Sequence, residues 1–290
     1  MADPISVLVE RGGVVEAHHL VHAVAVRDGT VVDAAGDPGL VTLMRSAAKP
    51  FQALPLAGAD AGLSDEELAI ACASHEATPE QLAAVRALLA RSGSDEAELE
   101  CGAEHGLRVG HNCAGKHAGM LLRAKREGWP LPGYRLPGHP VQEEARRLVA
   151  AACGVDPDAL ATATDGCGVV TFALSLEAMA RAFEELGSGA LPGSERVAAT
   201  MRARPDLIGG RGAPDTAYMH ALPGSLAKRG AEGLLCAALP EGTGVAVKVA
   251  DGGDRAAGPA LARFTGVATS TEVPVRNSRG ERVGRVFAAP

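Results

Sequence analysis

Ser46 and Lys49, in the segment Arg45-Ser-Ala-Ala-Lys49, are three positions apart, the spacing at which two side chains share one face of a helical turn. A lysine whose pKa is lowered by burial can take the proton of a neighbouring serine hydroxyl, as in serine acyl-transfer enzymes. Pro50 belongs in a first helical turn, which predicts a helix start near residues 47–49. Taken alone, the segment also fits a helix-capping serine followed by a surface lysine, which is the commoner arrangement.

A second polar group, Ser74, His75 and Glu76, lies in a short loop between two predicted helices. Capping boxes at residues 64–67 and 78–81 indicate where these helices start. Polar side chains in such a loop either satisfy the backbone groups of the helix ends or contribute to a site that is assembled in space. The sequence leaves both interpretations open.

The segment His111-Asn-Cys-Ala-Gly-Lys-His117 concentrates groups that bind metals or transfer protons, just before a predicted helix. Cys113 is expected to have a lowered pKa, because it lies near the helix N-terminus and beside Lys116. The paired Cys-x-x-Cys or His-x-x-x-His spacing of structural zinc sites is absent from this sequence. A metal site would therefore need a distant partner, and Cys167 in the glycine-rich segment 165–168 is the obvious one. Otherwise Cys113 is a buried structural cysteine.

The chain has 23 arginines and only five lysines, which draws attention to each lysine, because only lysine can lose its proton at a useful pH. Lys248 lies in the strand pattern Val245–Val249 and is flanked by apolar residues. A half-buried lysine in a central strand is costly unless it is paired or deprotonated, whereas a lysine on an edge strand can face water. The pattern does not choose between these two positions.

Apolar periodicity and turn residues predict an α+β fold. Strands are expected at residues 5–9, 20–27, 234–236, 243–249 and 282–287, and helices at about 115–127, 140–153, 176–186 and 194–203. Strands at both ends with helices between them predict a single domain over residues 1–290, with an antiparallel sheet assembled from the two termini and flanked by helices. The helical patterns between about residues 60 and 200 suggest an inserted helical subdomain.

The composition argues against several classes of protein. A net charge of -7 and a low aromatic content (Trp 1, Tyr 2, Phe 5) are unfavourable for a nucleic-acid partner. No uncharged run reaches the ~20 residues that span a bilayer, and the first ten residues lack the pattern of a signal peptide. Six cysteines are too few for a disulfide scaffold. We therefore expect a cytoplasmic protein that binds a small molecule and makes no contact with nucleic acid or membrane.

Six stretches, in order along the chain, together resemble one family. They are Arg45-Ser-Ala-Ala-Lys-Pro-Phe-Gln52, Cys72-Ala-Ser-His75, His111-Asn-Cys-Ala-Gly-Lys-His-Ala-Gly-Met-Leu121, Asp165-Gly-Cys-Gly168, Lys228-Arg-Gly-Ala-Glu-Gly233 and Lys248-Val-Ala-Asp-Gly252. The family is that of the thermolabile and inducible L-asparaginases first described in rhizobia, which are distinct from the bacterial type I and type II asparaginases. The resemblance runs from about residue 10 to residue 257. It implies hydrolysis of L-asparagine to L-aspartate and ammonia by a homodimer, with a subunit fold similar to that of serine β-lactamases and serine-dependent glutaminases.

The resemblance also implies roles for individual residues. Ser46 with Lys49 corresponds to one serine–lysine tandem of the family, and Ser74 with Lys248 to a second. The other implied residues are the zinc ligands Cys113, Lys116 and Cys167, and the substrate-pocket residues Arg45, His75, Asn112 and Asp165. The zinc ion is understood to assist substrate binding more than to activate water. In the implied reaction Ser46 attacks the amide carbon after losing its proton to Lys49, while the second tandem relays protons, or the two serines exchange these roles.

Two alternatives remain open from the sequence. The nearer one is another serine amidohydrolase, such as a serine-dependent glutaminase. A β-lactamase is disfavoured because the chain contains neither Ser-Asp-Asn nor Lys-Thr-Gly. The other alternative is a non-catalytic protein that binds zinc or a ligand through Cys113 and Cys167. Such a protein would have no need of a Ser-x-x-Lys segment.

Overall fold

An antiparallel sheet that joins both ends of the chain is the largest feature of the computed structural model, which describes residues 2–58, 62–104, 106–267 and 272–289. The strands are β1 (Ile5–Arg11), β2 (Val14–Arg27), β3 (Thr30–Ala35), β4 (Val41–Leu43), β5 (Thr162–Thr164), β6 (Val170–Ser175), β7 (Leu226–Arg229), β8 (Leu234–Ala238), β9 (Gly244–Val249), β10 (Glu272–Arg276) and β11 (Arg282–Ala288). Within those described ranges the large sheet has the order β10-β11-β1-β2-β9-β8-β7, and β3 also pairs with β2.

The register confirms the predicted union of the two termini. In β1, Val7 lies opposite Ala288 of β11 on one side and opposite His19 of β2 on the other. Strand β2 continues the sheet to β9, where His22 lies opposite Lys248. Strand β7 is the last in the order and pairs with β8 alone in this sheet. The sheet therefore presents β7, with its short sequence Leu-Ala-Lys-Arg, to the helical part of the molecule.

Helices fill the chain between the strands. They are α1 (Lys49–Ala53), α2 (Asp65–Cys72), α3 (Pro79–Ser92), α4 (Ala114–Arg126), α5 (Pro140–Cys153), α6 (Leu176–Ser188), α7 (Ser194–Ala203), α8 (Pro205–Gly209), α9 (Pro214–Ala221) and α10 (Ala257–Thr265). The capping boxes predicted from sequence are present at Ser64 and Thr78, each bonded to the backbone amide three residues later. In the part of the chain that the structure describes, no helix is long and apolar enough to cross a membrane.

Helices cover the central strand β9 from both sides. Every residue of β9 is buried, and both α6 and α10 pack on it. Successive side chains of a strand point to opposite faces, so complete burial requires cover on each face. Gly244 shows how closely α6 approaches, because a Cβ at this position would lie 1.9 Å from the carbonyl oxygen of Ala180. The hydrophobic core thus lies on both faces of the sheet, with small residues allowing helix and strand to touch.

A small second sheet positions the segment that follows it. Its order is β4-β6-β5, and β4 ends just before Met44. The Met44 amide donates to the Phe172 carbonyl at 2.8 Å, which extends the pairing by one residue. The chain then turns into a 3-10 turn over Arg45–Ala48, and α1 follows directly. The expected helix start after Ser46 is confirmed, and it is anchored to this sheet.

The sequence-based expectations agree with the structure in class and differ in detail. A mixed α and β domain with an antiparallel sheet and flanking helices is confirmed. Strand β7 was not predicted, because four residues that end in Lys-Arg carry no alternation to recognise. The short helices α8 and α9 were missed for a similar reason. The limits of a single domain over residues 1–290, and of a helical subdomain over about 60–200, stay predictions.

Candidate active site

Ser74 lies where two buried lysines meet. Its hydroxyl oxygen accepts hydrogen bonds from Lys49 Nζ and from Lys228 Nζ, each at 2.9 Å. Lys49 begins α1, Lys228 lies in β7, and Ser74 closely follows α2, so three separate elements build the cluster. Ser74 is 5% exposed and both lysines are completely buried. One hydroxyl therefore connects two amines away from bulk water, an arrangement that can carry a proton between them.

The environment favours neutral amines in this cluster. Burial lowers the pKa of Lys49, because a charge is costly away from water, although nearby Cys113 acts in the opposite direction. Burial lowers the pKa of Lys228 to about 7; Asp215 opposes this shift and the charge of Lys49 adds to it. Two ammonium groups this close repel each other, so holding one of them neutral relieves the repulsion. A lysine amine that is neutral near pH 7 can act as a base.

Asp215 and Arg229 hold Lys228 in place. Asp215, the second residue of α9, is completely buried, and its Oδ2 lies 3.5 Å from Lys228 Nζ. The same oxygen accepts a hydrogen bond from the Arg229 amide at 3.2 Å. The Arg229 guanidinium donates to the carbonyl oxygens of Ser74 and Gly209, at 3.1 and 3.2 Å. The end of β7 is thus tied to the Ser74 loop through main-chain and side-chain bonds.

Ser46 lies in the 3-10 turn before α1, directly after a residue with a strained backbone conformation. Arg45 has a φ of 48°, in the left-handed region that side chains other than glycine seldom adopt. The Arg45 amide donates to Thr171 Oγ1 at 3.0 Å, and its guanidinium donates to Asp165 Oδ1 at 2.5 Å. These two bonds fix the turn, and Ser46 is left partly exposed.

The amine of Lys49 is bonded to Ser74 rather than to Ser46. Besides Ser74 Oγ, it donates to the carbonyl oxygens of Ala73 at 2.6 Å and Asn112 at 3.4 Å. Within the described residues it has no hydrogen bond to Ser46. Ser46 and Lys49 do lie in one short segment, as predicted. The Lys49 amine, however, bonds to three acceptors on neighbouring loops, on the side of Ser74.

A cavity of about 530 Å³ joins the two serines. Ser46, Ser74 and Asn112 all form part of its wall. The rest comes mainly from α9, the turn between β7 and β8, and the chain just before and within the first turn of α10. Its charged wall residues are Arg229, Asp254 and Arg255. A small substrate in this cavity can therefore reach both hydroxyl groups.

The predicted pairing of Ser74 with Lys248 is wrong, because Lys228 occupies that position. Lys248 lies in β9 and its amine donates to the Val249 carbonyl at 2.5 Å. Its pKa is lowered by burial and raised by the nearby carboxylates Glu232, Asp251 and Asp254. Strand β8 separates β9 from β7 in the sheet, so Lys248 is directed to a different group of side chains. The second lysine of the cluster is the one at the sheet edge.

Two cysteines and a lysine form a second buried cluster beside the first. Lys116 Nζ donates to Cys167 Sγ at 3.1 Å, so these groups, distant in sequence, are in contact. The pKa of Cys113 lies well below its usual value, first because the Cys167 thiol hydrogen-bonds to it and also because Lys49 and Lys116 are near. Burial opposes the charge on Lys116, but the sulfur atoms of Cys113 and Cys167 together raise its pKa. The predicted set Cys113, Lys116 and Cys167 is therefore brought together.

Metal sites made of His, Cys, Asp and Glu alone are absent from the described part of the chain. No group of three or more of these side chains suited to a metal occurs within residues 2–58, 62–104, 106–267 and 272–289. His111 Nδ1 accepts a hydrogen bond from the Cys113 amide at 3.1 Å, and His117 Nδ1 bonds to the Tyr134 hydroxyl at 2.7 Å. Both histidines therefore have structural partners.

The four predicted pocket residues lie around the two serines in different positions. Asn112 lines the cavity, and its carbonyl accepts from both Lys49 and the His75 amide. His75 is buried, its Nδ1 accepts from the Ala77 amide at 3.2 Å, and burial lowers its pKa to about 4. Arg45 and Asp165 pair with each other, as described above. In the described part of the chain, Arg45, His75 and Asp165 are not wall residues of the cavity.

Sequence reasoning missed several residues of the site. Lys228 was noticed as one of five lysines, in the segment Lys228-Arg-Gly, but nothing local marked it as the partner of a serine 154 positions away. The rarity of lysine in apolar surroundings was the available signal, and it applied equally to Lys248. Asp215 gave no signal at all, because an acidic residue after proline at a helix start is ordinary. Asp254 and Arg255 gave no signal either, because charged residues just before a helix are ordinary.

Comparison with known proteins shows which family the chain matches. A family model described as L-asparaginase II matches residues 7–287. The match includes both serines, both lysines of the Ser74 cluster and the cysteine pair. Among curated proteins, no match to the chain is found. The family model thus covers every residue of the two buried clusters.

Proposed function

The chain belongs to the L-asparaginase II family and is an amidohydrolase of the L-asparaginase type, and from this premise we propose that it hydrolyses L-asparagine with a serine nucleophile and two lysine bases. The observation that carries the mechanism is the bonding of Ser74 Oγ to both Lys49 and Lys228, beside a cavity that Ser46 also lines. A partly exposed hydroxyl, a buried hydroxyl and two amines of lowered pKa are the parts that acyl transfer needs.

In the proposed reaction Ser46 is the nucleophile. Its oxygen forms a bond to the side-chain amide carbon, and its proton passes to the neutral amine of Lys49, directly or through Ser74. The carbon–nitrogen bond of the tetrahedral intermediate then breaks. Ser74 donates a proton to the leaving nitrogen, which departs as ammonia, and a lysine ammonium reprotonates Ser74. Water attacks the resulting β-aspartyl ester by the reverse proton path, which releases L-aspartate and restores Ser46.

Two backbone amides are suited to the negative oxygen of the intermediate. Ser46 and Ala231 both line the cavity, and in the described residues neither amide has a hydrogen-bond partner. Orphan amides that face a reacting carbonyl stabilise the charge that develops there, and one such donor is worth roughly 10²- to 10³-fold in rate. We assign the oxyanion site to this pair.

The test compares the two serines. Ser46→Ala is expected to lower kcat for ammonia release from L-asparagine by about 10⁴-fold or more, because no other hydroxyl replaces the nucleophile. Ser74→Ala is expected to lose roughly 10²- to 10⁴-fold, since it removes a proton path only. Intact-protein mass spectrometry after rapid acid quench should find an aspartyl adduct in Ser74→Ala and none in Ser46→Ala. An adduct in Ser46→Ala alone would exchange the two roles. L-Glutamine in parallel tests the glutaminase alternative.

We also propose that Cys113, Lys116 and Cys167 hold a zinc ion. The contact between Lys116 and Cys167 and the lowered pKa of Cys113 fit this group, because zinc binds thiolates and a neutral amine. When bound, the ion would supply Lewis acidity and positive charge beside the Ser74 cluster, since Cys113 lies near Lys49. Lys116 must lose its proton for this, and until then it neutralises the Cys113 thiolate.

Metal analysis tests this part separately. The purified protein is expected to contain about one zinc per chain, and Cys167→Ala to lose it while keeping kcat within about tenfold and raising KM for asparagine. Cys153→Ala is the matched control, because Cys153 is equally buried but lies in α5 without the lysine partner. An equal collapse of kcat in Cys167→Ala and Ser46→Ala would make the metal itself catalytic.

Two broader expectations complete the proposal. We propose that the subunit fold is that of serine β-lactamases and serine-dependent glutaminases. The antiparallel sheet built from both termini and the edge-strand lysine bonded to Ser74 support this. We propose a homodimer as well. Light scattering coupled to size-exclusion chromatography measures the mass in solution, and a monomer at working concentration would contradict the second statement.

A further inference from the structure

The mouth of the cavity holds charges that the proposed chemistry does not use. Asp254 and Arg255 follow Asp251-Gly-Gly253 and precede α10, and both are exposed wall residues of the cavity that contains Ser46 and Ser74. Among the described residues that line this cavity, Asp254 is the one acidic side chain, and Arg255 is one of two arginines.

The substrate brings two charges that need partners. L-Asparagine is a zwitterion whose α-carbon bears a carboxylate and an ammonium, next to the β-carbon that bears the amide group. When the amide lies at the serines, these two charges lie a few ångströms away, inside the same cavity. A buried or half-buried charge is costly unless it is paired. The wall of the cavity must therefore offer one cation and one anion.

The other arginines near the serines are already engaged. Arg229 donates through one terminal nitrogen to the carbonyls of Ser74 and Gly209. Arg45 is paired with Asp165 at 2.5 Å. Arg255 uses only its Nε, which donates to His19 Nε2 at 3.1 Å. Among the described residues, the two terminal nitrogens of Arg255 have no hydrogen-bond partner, and these are the atoms that bind a carboxylate in a fork.

Arg255 is held in place from behind by buried His19, which is itself paired with the exposed carboxylate of Asp251. Because His19 Nε2 accepts the bond from Arg255, the imidazole proton is on Nδ1, which donates to Asp251 Oδ2 at 2.8 Å. His19 is 6% exposed, so the arginine rests on an ordered support. Gly253 leaves room for that support, since a Cβ there would lie 2.7 Å from His19 Cε1.

Asp254 is placed beside it by the turn between β7 and β8. Its Oδ1 accepts a hydrogen bond from the Gly233 amide at 2.6 Å, which fixes the carboxylate against the turn. Its Oδ2 has no hydrogen-bond partner within the described residues. Lys248 lies near enough to feel this carboxylate, but its amine bonds to the Val249 carbonyl instead. One carboxylate oxygen therefore remains for a ligand.

We infer that Arg255 binds the α-carboxylate and Asp254 the α-ammonium of the amino-acid substrate, with His19 and Asp251 as positioning residues for Arg255. This inference rests on the proposed function and deepens it: the site selects α-amino acids that carry a side-chain amide over amides that lack either charge. The serines act on the amide group, whereas the Asp251–Arg255 loop selects the substrates by their α-carboxylate and α-ammonium.

Three substrates and three variants test the assignment. Ammonia release is measured from L-asparagine, from 3-aminopropanamide, which lacks the carboxylate, and from succinamic acid, which lacks the ammonium. Arg255→Gln is expected to raise KM for L-asparagine by about 10- to 100-fold, the cost of one lost charged hydrogen-bond pair, with kcat within a few-fold and no change for 3-aminopropanamide. Asp254→Asn is expected to raise KM by a similar factor for L-asparagine and for 3-aminopropanamide, which keeps the ammonium, but to spare succinamic acid. Arg263→Gln, at an exposed arginine of the following helix α10 that is not a wall residue of this cavity, is the control.

A binding measurement separates this inference from the reaction itself. Calorimetric titration with the product L-aspartate is expected to give binding to the wild type and a 10- to 100-fold weaker affinity in Arg255→Gln. Binding with no turnover in the wild type would overturn the proposed reaction and leave the charge assignment standing. Equal affinity and equal KM in wild type and Arg255→Gln would overturn the assignment, and a selective loss in Arg45→Gln would move the carboxylate to that arginine. His19→Gln, whose amide oxygen can still accept from Arg255, should retain most of the affinity that His19→Ala loses.

Discussion

Two lysines on strands of the same sheet have opposite surroundings. Lys228 in β7 is completely buried, has one carboxylate 3.5 Å away, and donates to the Ser74 hydroxyl. Lys248 in β9 is 8% exposed, lies near three carboxylates, and donates to a backbone carbonyl. Both have a lowered pKa, yet only Lys228 contacts a nucleophilic side chain. Burial alone therefore does not make a lysine a base, and its partner decides what the neutral amine can do.

The two amines also differ in how many carboxylates surround them. Asp215 is one acid against two amines, because Lys49 shares the Ser74 cluster. Lys248 is one amine among Glu232, Asp251 and Asp254, which favour its charged form. A cluster with more amines than acids releases a proton easily, whereas a cluster with more acids than amines retains it.

Among changes to these two lysines and their carboxylates, the largest effect is expected from removing the amine of Lys228. Lys228→Met keeps the length and apolar stem of the side chain, so β7 should still pack, but the proton path through Ser74 loses one end. We expect kcat/KM for L-asparagine to fall by roughly 10²- to 10⁴-fold. Steady-state ammonia release measures this, and thermal unfolding checks that the variant is folded. Lys125→Met, at an exposed position in α4, is the matched control, and an equal loss in both would refute the role of Lys228.

A smaller effect is expected from the carboxylate beside that amine. Asp215 raises the pKa of Lys228, which burial holds at about 7, so the base is neutral above that pH and protonated below it. Asp215→Asn removes the negative charge, lowers the pKa of Lys228 further, and should move the acidic limb of kcat/KM to lower pH by about one unit.

The pH profile distinguishes this role from a structural one. A loss of activity at every pH with an unmoved acidic limb would mean that Asp215 only holds β7 and α9 together. Asp158→Asn, at an 85% exposed carboxylate that touches Arg146, should leave the profile unchanged. Movement of the limb to higher pH would contradict the sign of the argument.

The smallest effect is expected at Lys248. Lys248→Met removes an amine whose one hydrogen bond among the described residues is to the Val249 carbonyl. We therefore expect kcat to stay within about threefold of the wild type, as for other residues away from the reacting atoms. The same assay as for Lys228 measures it. A loss of 100-fold or more would restore the pairing of Lys248 with the catalytic serine and remove the contrast between the two lysines.

Local features of the site were predictable because they depend on neighbours in sequence. The Ser-x-x-Lys segment with Pro50 predicted a helix start near residues 47–49, and α1 begins at Lys49. The capping residues before α2 and α3 predicted the loop that carries Ser74. The cysteines of segments 111–117 and 165–168 were expected to meet, and Lys116 contacts Cys167.

The sequence by itself determined the residue types available for catalysis, the helix starts that present them and the union of the two termini in one sheet. Only the tertiary structure decided that Lys228 rather than Lys248 meets Ser74, that Lys49 donates to Ser74 rather than Ser46, and that Asp215 lies behind them. The physical reason is distance along the chain. Spacing of a few residues fixes a helical face, but contacts across 154 residues depend on strand order and on which side chain the packed core leaves beside the hydroxyl.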